Sequence, residues 1–115
     1  MAKRRMFSND VVCTDDFLEL SATAQAIYFQ FGMVADDDGF VANPKMIARS
    51  YYGGLKCVKE LTDKGYVIQF QSGIVVITHW NVSNRVPKDR YNPTQFTREF
   101  AQVAIGEDRY TKALE

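Results

Sequence analysis

The sequence predicts an α+β domain in which a series of short helices is closed by a β-hairpin. Three observations predict it. Ala24, Ile27, Tyr28, Phe31 and Val34 recur at the spacing of one helical face. The pair Gly53-Gly54 divides the helical stretch that follows into two. After Gly65 the pattern changes to two β-branched and aromatic runs, Tyr66-Val67-Ile68-Gln69-Phe70 and Ile74-Val75-Val76-Ile77-Thr78, joined by Gln71-Ser72-Gly73.

Taken in order, the chain opens with a basic stretch expected to be flexible up to about Phe7. Val11, Val12, Phe17 and Leu18, with Asp15 and Asp16 near a helix start, predict one or two short helical turns. Ser21 suits the N-cap of the long amphipathic helix. Asp36-Asp37-Asp38-Gly39 ends that helix, since glycine accepts a positive φ. Phe40-Val41 is a short extended pair. Asn43-Pro44 reads as N-cap and first residue of a second helix, with Met46 and Ile47 on its buried side and Arg49 on another. Tyr51-Tyr52-Gly53-Gly54 breaks it. A third helix, about Leu55 to Lys64, turns Leu55, Val58, Leu61 and Thr62 inward and Lys56, Lys59, Glu60 and Asp63 outward, with Gly65 at its C-cap. The hairpin follows, with Val67, Val75 and Ile77 expected to cover the open side of the helices. Asn81 to Asn92 is polar and basic and reads as an irregular arm. A last helix opens near Asn92-Pro93, carrying Phe96, Phe100 and Val103. The expected division is residues 1–92 as the main domain and 93–115 as a C-terminal helix and tail.

The 115 residues are 46% hydrophobic and 13% aromatic, enough for one domain with a real core that needs neither disulfide nor metal. Cys13 and Cys57 match no metal-ligand spacing and read as reduced thiols. Ser8, Asn9 and Asp10 interrupt any apolar run after Lys3-Arg4-Arg5, so no signal peptide is expected. No stretch approaches the roughly 20 apolar residues of a membrane span. The expected location is the cytoplasm.

A helix, a short strand, a helix, a turn, a helix and a hairpin is the order of a winged helix-turn-helix, here with three helices, a β-hairpin wing and a C-terminal arm and helix. In helix-turn-helix proteins the second helix of the pair enters the major groove and the first crosses the backbone. Net charge is zero overall, yet residues 41–92 carry eight basic side chains against Glu60, Asp63 and Asp89, a local net of +5. Such a segment makes an electrostatic footprint for nucleic acid within a neutral chain.

The stretches RRMFSNDVV, QAIYFQFGMVADDDGFVANPKMI, KGYVIQFQSGIVVITHW and KDRYNPT resemble the N-terminal region of phage replication initiators, the replisome organisers. These are similar in plan to the N-terminal domain of DnaD-type primosome proteins. The resemblance covers roughly residues 3 to 94, and the spacing of its parts is more specific than any one motif. It implies a winged helix used in DNA replication inside a bacterial host cell, with DNA and other replication proteins as partners. Such proteins usually carry a further C-terminal region, so the resemblance is to the N-terminal module alone.

The candidate DNA contacts follow from this plan. Lys56 and Lys59 lie on the outer face of the groove helix, although Lys56–Glu60 and Lys59–Asp63 also have the spacing of local ion pairs. Lys45 and Arg49 lie on the preceding helix, where they meet phosphate or are ordinary surface charge. Gln71 and Ser72 form the hairpin tip, free to touch phosphate or a minor groove. Arg85, Lys88 and Arg90 make the arm basic; it either reaches DNA or braces the fold. Lys3, Arg4 and Arg5 offer a further phosphate-binding tail.

Other chemistry finds no footing. Asp36-Asp37-Asp38-Gly39 departs from the EF-hand pattern, with Val34 where an Asp belongs and Lys45 where the twelfth-position Glu belongs. It reads as a capped turn, and no metal or cofactor is expected. His79 has no nucleophile placed beside it and there is no phosphate-binding loop, so the expectation is a protein without enzymatic activity. The stripe Phe96, Phe100 and Val103 either folds back on the domain or joins two copies as a homodimer. Three functions compete: DNA binding in replication initiation, a protein-interaction module of a replication complex, and a transcription regulator of the same fold.

Overall fold

The computed structural model describes residues 6–84, 88–106 and 109–112. The expectations for Lys3, Arg4, Arg5 and Arg85 lie outside the described residues.

Two helical turns come first, α1 (Asn9–Val12) and α2 (Asp15–Leu18). Each is started by a hydroxyl: Ser8 Oγ accepts from Asp10 N at 3.1 Å, and Thr14 Oγ1 accepts from Phe17 N at 3.2 Å. Phe7, in the stretch expected to be flexible, is packed instead. Its ring lies edge-on to Phe29 and fills the space a side chain at Gly32 would take. Asn84 clamps the adjoining Met6 backbone, accepting from its N–H at 3.1 Å and donating to its carbonyl at 3.0 Å.

The amphipathic pattern becomes α3 (Ala22–Val34), which buries Ala24, Ile27, Tyr28 and Phe31 as its periodicity requires. Ser21 caps it through Ala24 N at 3.1 Å. Val34 is exposed, against expectation, because the chain turns extended at Ala35 and that residue takes the inward place. After the aspartate turn come β1 (Phe40–Val41), α4 (Pro44–Arg49) and α5 (Gly54–Asp63).

Both short helices depart in phase from the expected faces. α4 is six residues long and buries Pro44 and Ala48, four apart, which leaves Met46 exposed; the Asn43 side chain makes no capping bond. α5 begins at Gly54 and buries Gly54, Cys57, Val58 and Leu61. That stripe rotates Leu55 about 100° off the core, and Leu55 is half exposed.

The hairpin is β2 (Val67–Gln69) and β3 (Val75–Ile77), antiparallel, with Val67 opposite Ile77 and Gln69 opposite Val75. β1 adds to the other edge of β3, Phe40 opposite Val76, so the sheet order is β1-β3-β2. The central strand is buried along its whole length, and Val67, Val75 and Ile77 close the helical core as expected.

Beyond β3 the sequence reading needs correction. The arm does not begin irregularly: α6 (Trp80–Ser83) is a helical turn that buries Trp80, whose indole N–H donates to the Asp37 carbonyl at 2.9 Å. The expected last helix is only α7 (Thr97–Phe100). It is followed by a second antiparallel pair, β4 (Val103–Ile105) and β5 (Tyr110–Lys112), with Ile105 opposite Tyr110. Phe96, Phe100 and Val103 are therefore not one exposed helical stripe for a second copy. The rings of Phe96 and Phe100 pack on Phe40, and Val103 is buried on a strand. Hydrogen bonds from Thr94 and Tyr110 to the aspartate turn cross the expected boundary at residue 92. No helix among the described residues is long and apolar enough to cross a membrane.

Candidate nucleic-acid interface

The helix pair α4–α5 is built around a contact that only glycine permits. A Cβ at Gly54 would lie 1.9 Å from the Ala48 carbonyl oxygen, so the start of α5 sits directly on α4. The turn between them is closed by Tyr51 N donating to Ala48 O and Gly54 N donating to Tyr51 O, both at 3.0 Å. Gly53 reverses the chain at φ +68°, a left-handed conformation that disfavours other residues.

The outer side of this pair carries Lys45, Arg49, Lys56 and Lys59, all exposed. Their surroundings differ from the simple basic face the spacing suggests. Lys59 is held by Asp63 at 2.8 Å, as its i,i+4 spacing anticipates. The expected Lys56–Glu60 pair does not form. Glu60 instead reaches the N-cap of α3, accepting from Ser21 N at 2.8 Å and from Ser21 Oγ at 2.9 Å. It thereby serves the N-terminus of α3, where a carboxylate is favoured by the helix dipole. Lys56 makes no ion pair among the described residues. Three aliphatic or aromatic side chains share this helix pair and are exposed: Met46 at 68%, Tyr52 at 102% and Leu55 at 50%.

The hairpin tip is not free. Ser72 Oγ donates to a carboxylate oxygen of Glu99, just inside α7, at 2.6 Å. Gln71 beside it is exposed. The tip expected to approach phosphate is thus accompanied by an acid that no local pattern links to it.

The arm is a brace over its second half. Tyr91 donates to both oxygens of Asp38 at 2.7 Å, and Asn92 N donates to Asp37 Oδ2 at 3.0 Å. Thr94 N donates to Asp38 Oδ2 at 2.8 Å and Thr94 Oγ1 to Asp36 Oδ2 at 2.5 Å. Asp36 Oδ1 also accepts from the backbone of Asp38 and Phe40, both at 3.0 Å, so the turn is capped as read from the sequence. Burial, then the bond to Asp38 and the neighbouring carboxylate charge, push the Tyr91 phenol well above its ordinary pKa. Lys88 and Arg90 are exposed in the turn just before these bonds, next in the chain to a segment tied to three aspartates. Lys88 lines an open groove of about 560 Å³ with Asn81, Asn84 and Ile105; no α4 or α5 residue lines it. The structure therefore brings Lys45, Arg49, Lys56 and Lys59 onto one helix pair and leaves Lys88 and Arg90 in a separate setting. Among the described residues no cluster of His, Cys, Asp and Glu is arranged to hold a metal ion.

The sequence placed Tyr52 only in the helix-breaking turn and Glu60 only beside Lys56, and it did not mark Glu99 at all. An aromatic residue directly before a glycine pair was the available signal for Tyr52. Nothing local marks the partners of Glu60 and Glu99, which are 39 and 27 residues away. No protein-family model, curated protein or solved structure matches the chain.

Proposed function

We propose that this chain is a winged-helix domain that binds DNA, and that it serves phage-type replication initiation in the cytoplasm of a bacterial host, with replication proteins as further partners. α3, β1, α4, α5 and the β2–β3 hairpin follow one another in the order of that fold, with α4–α5 as the helix-turn-helix and the hairpin as its wing. The described part of the segment after residue 92, residues 93–106 and 109–112, then forms an extension packed on the body, and the domain is a binding module without enzymatic activity. The observation that carries the reading is the set of four exposed cations, Lys45, Arg49, Lys56 and Lys59, on the outer side of α4 and α5. Phosphate neutralisation by such side chains supplies most of the affinity of a DNA-binding module. The resemblance to replisome organisers ranks replication above transcription.

The test is fluorescence anisotropy with labelled duplex and single-stranded DNA at two salt concentrations. Binding should weaken steeply with salt, and an Arg49→Ala, Lys56→Ala, Lys59→Ala triple variant should lose most of it. Equal binding by the triple variant, or none by the wild type at low salt, would remove the reading.

A second reading, a protein-interaction module of a replication complex, is favoured by the Lys59–Asp63 pair and the exposed Leu55, which reduce the positive charge of α5 and add apolar surface. It expects oligomers or partner binding with negligible DNA affinity.

A further inference from the structure

Tyr52 is the most exposed large hydrophobic side chain in the described structure, at 102%. It makes no hydrogen bond and no ring contact among the described residues. The two other aromatic residues with large exposure are both engaged: Phe29 packs against Phe7 and Phe17, and Tyr91 is bonded to Asp38. The backbone beneath Tyr52 is nevertheless constrained. The Tyr51–Ala48 and Gly54–Tyr51 bonds close the turn on either side of it, and Gly54 packs directly on the Ala48 carbonyl. With the backbone fixed by this turn, a ligand that meets the ring has to order only its two side-chain torsions, a small cost for an aromatic residue.

The charge around it selects the ligand. Arg49 precedes Tyr52 in the chain and Lys56 follows it, both exposed, while the two acids of α5 are engaged, Glu60 by Ser21 and Asp63 by Lys59. An exposed aromatic residue flanked in the chain by exposed cations suits a nucleic acid whose base faces are open. In an intact duplex those faces are covered by neighbouring base pairs; in a single strand they stack readily on aromatic side chains.

We propose that Tyr52 is a stacking residue for an unpaired base, with Arg49 and Lys56 on the flanking phosphates, so that the helix-turn-helix takes single-stranded DNA in preference to duplex. This rests on the DNA-binding reading and specifies its ligand.

The experiment compares labelled oligothymidylate with a duplex of equal length, by anisotropy at two salt concentrations, for the wild type, Tyr52→Phe and Tyr52→Ala. The exposed position leaves the thermal midpoint of both variants near that of the wild type. The wild type should bind oligothymidylate more tightly than duplex. Tyr52→Ala should weaken that binding roughly tenfold, within the range for removal of one base–aromatic stack, with the salt slope unchanged. Tyr52→Phe should stay within about twofold, since it keeps the ring. Wild type that binds neither DNA at low salt would overturn the DNA-binding reading and this inference with it. Binding of oligothymidylate by the wild type with no loss in Tyr52→Ala would overturn the stacking role alone. Preference for duplex would overturn the strand preference.

Discussion

Tyr110 donates its hydroxyl to the main-chain carbonyl of Asp38 at 2.8 Å, a buried bond between the last strand and the turn that ends α3. On the same turn, the Asp38 side chain receives Tyr91 and Thr94. One residue therefore joins the arm, the segment after it and β5 to the helical body.

Alkaline pH should loosen this fold. Burial pushes the phenol of Tyr28 from 10.0 to about 12, with Tyr66 adding to it. Burial does the same for Tyr110, also to about 12, against an opposing bond from Asn81 and with help from Asp38 and Asp36. The folded state resists phenolate formation, so the stabilisation is fully present below pH 10 and is lost as pH rises toward 12. Urea midpoints measured at pH 9.5 and 11.5 should fall, and Tyr110→Phe should make the fall shallower. Equal midpoints would contradict the burial argument.

Asp38→Ala strands the Tyr91 hydroxyl and the Thr94 N–H, the latter buried. Loss of about 2–4 kcal/mol is expected from breaking two bonds to a carboxylate. Asp38→Asn keeps the shape and one acceptor oxygen and should lose less. Chemical denaturation of the two variants at neutral pH measures the difference.

The two adjoining glycines separate backbone strain from packing. A Cβ at Gly53 meets nothing within 4 Å, so Gly53→Ala costs only the left-handed conformation, about 1–2 kcal/mol. A Cβ at Gly54 meets a main-chain carbonyl that no rotamer can move away, and Gly54→Ala should cost about 3 kcal/mol or more. A ranking reversed in thermal unfolding would show that the α4–α5 contact relaxes easily.

Asp63 and Glu99 should both oppose DNA binding, one by neutralising Lys59 and the other by placing a carboxylate at Ser72. Asp63→Asn and Glu99→Gln are each expected to tighten binding about two- to fivefold at low salt. Asp63→Asn should also steepen the salt slope by up to one phosphate contact. Titrations by anisotropy decide it; unchanged affinity in both variants would place the contact surface elsewhere.

Phe100 packs edge-on to both Phe40 and Tyr110. Phe100→Ala should therefore destabilise the monomer by about 2–3 kcal/mol and leave the molecular mass in solution unchanged. A dimer that dissociates in this variant would restore the interface the sequence alone suggested.

The local patterns were strong enough to determine α3, the α4–turn–α5 pair and the β2–β3 hairpin. Each follows from a period, a residue type or a turn residue: the stripe through Phe31, the break at Gly53-Gly54 and the β-branched and aromatic runs on either side of Gly73. Polar positions on α4 and α5 were equally legible, because a lysine at the surface needs no partner to stay there. What the tertiary structure decided lies at longer range. Of the four positions expected inward on α5, Val58 and Leu61 are buried and Thr62 is half-buried; only Leu55 is turned out, where Gly54 packs on Ala48 and takes the inward place at the start of the helix. Phe96, Phe100 and Val103 carry a helical period, but the chain at Val103 pairs with β5, whose Tyr110 is buried against Phe40 and bonded to Asp38. Asp36-Asp37-Asp38 reads locally as a turn; that it anchors a segment more than fifty residues away depends on donors at Tyr91, Asn92 and Thr94 that no local pattern connects to it. Periodicity reports which face of an element is apolar. Which distant group covers that face, or satisfies a buried carboxylate, is settled only when the chain packs, because hydrogen bonds and ring contacts form between neighbours in space.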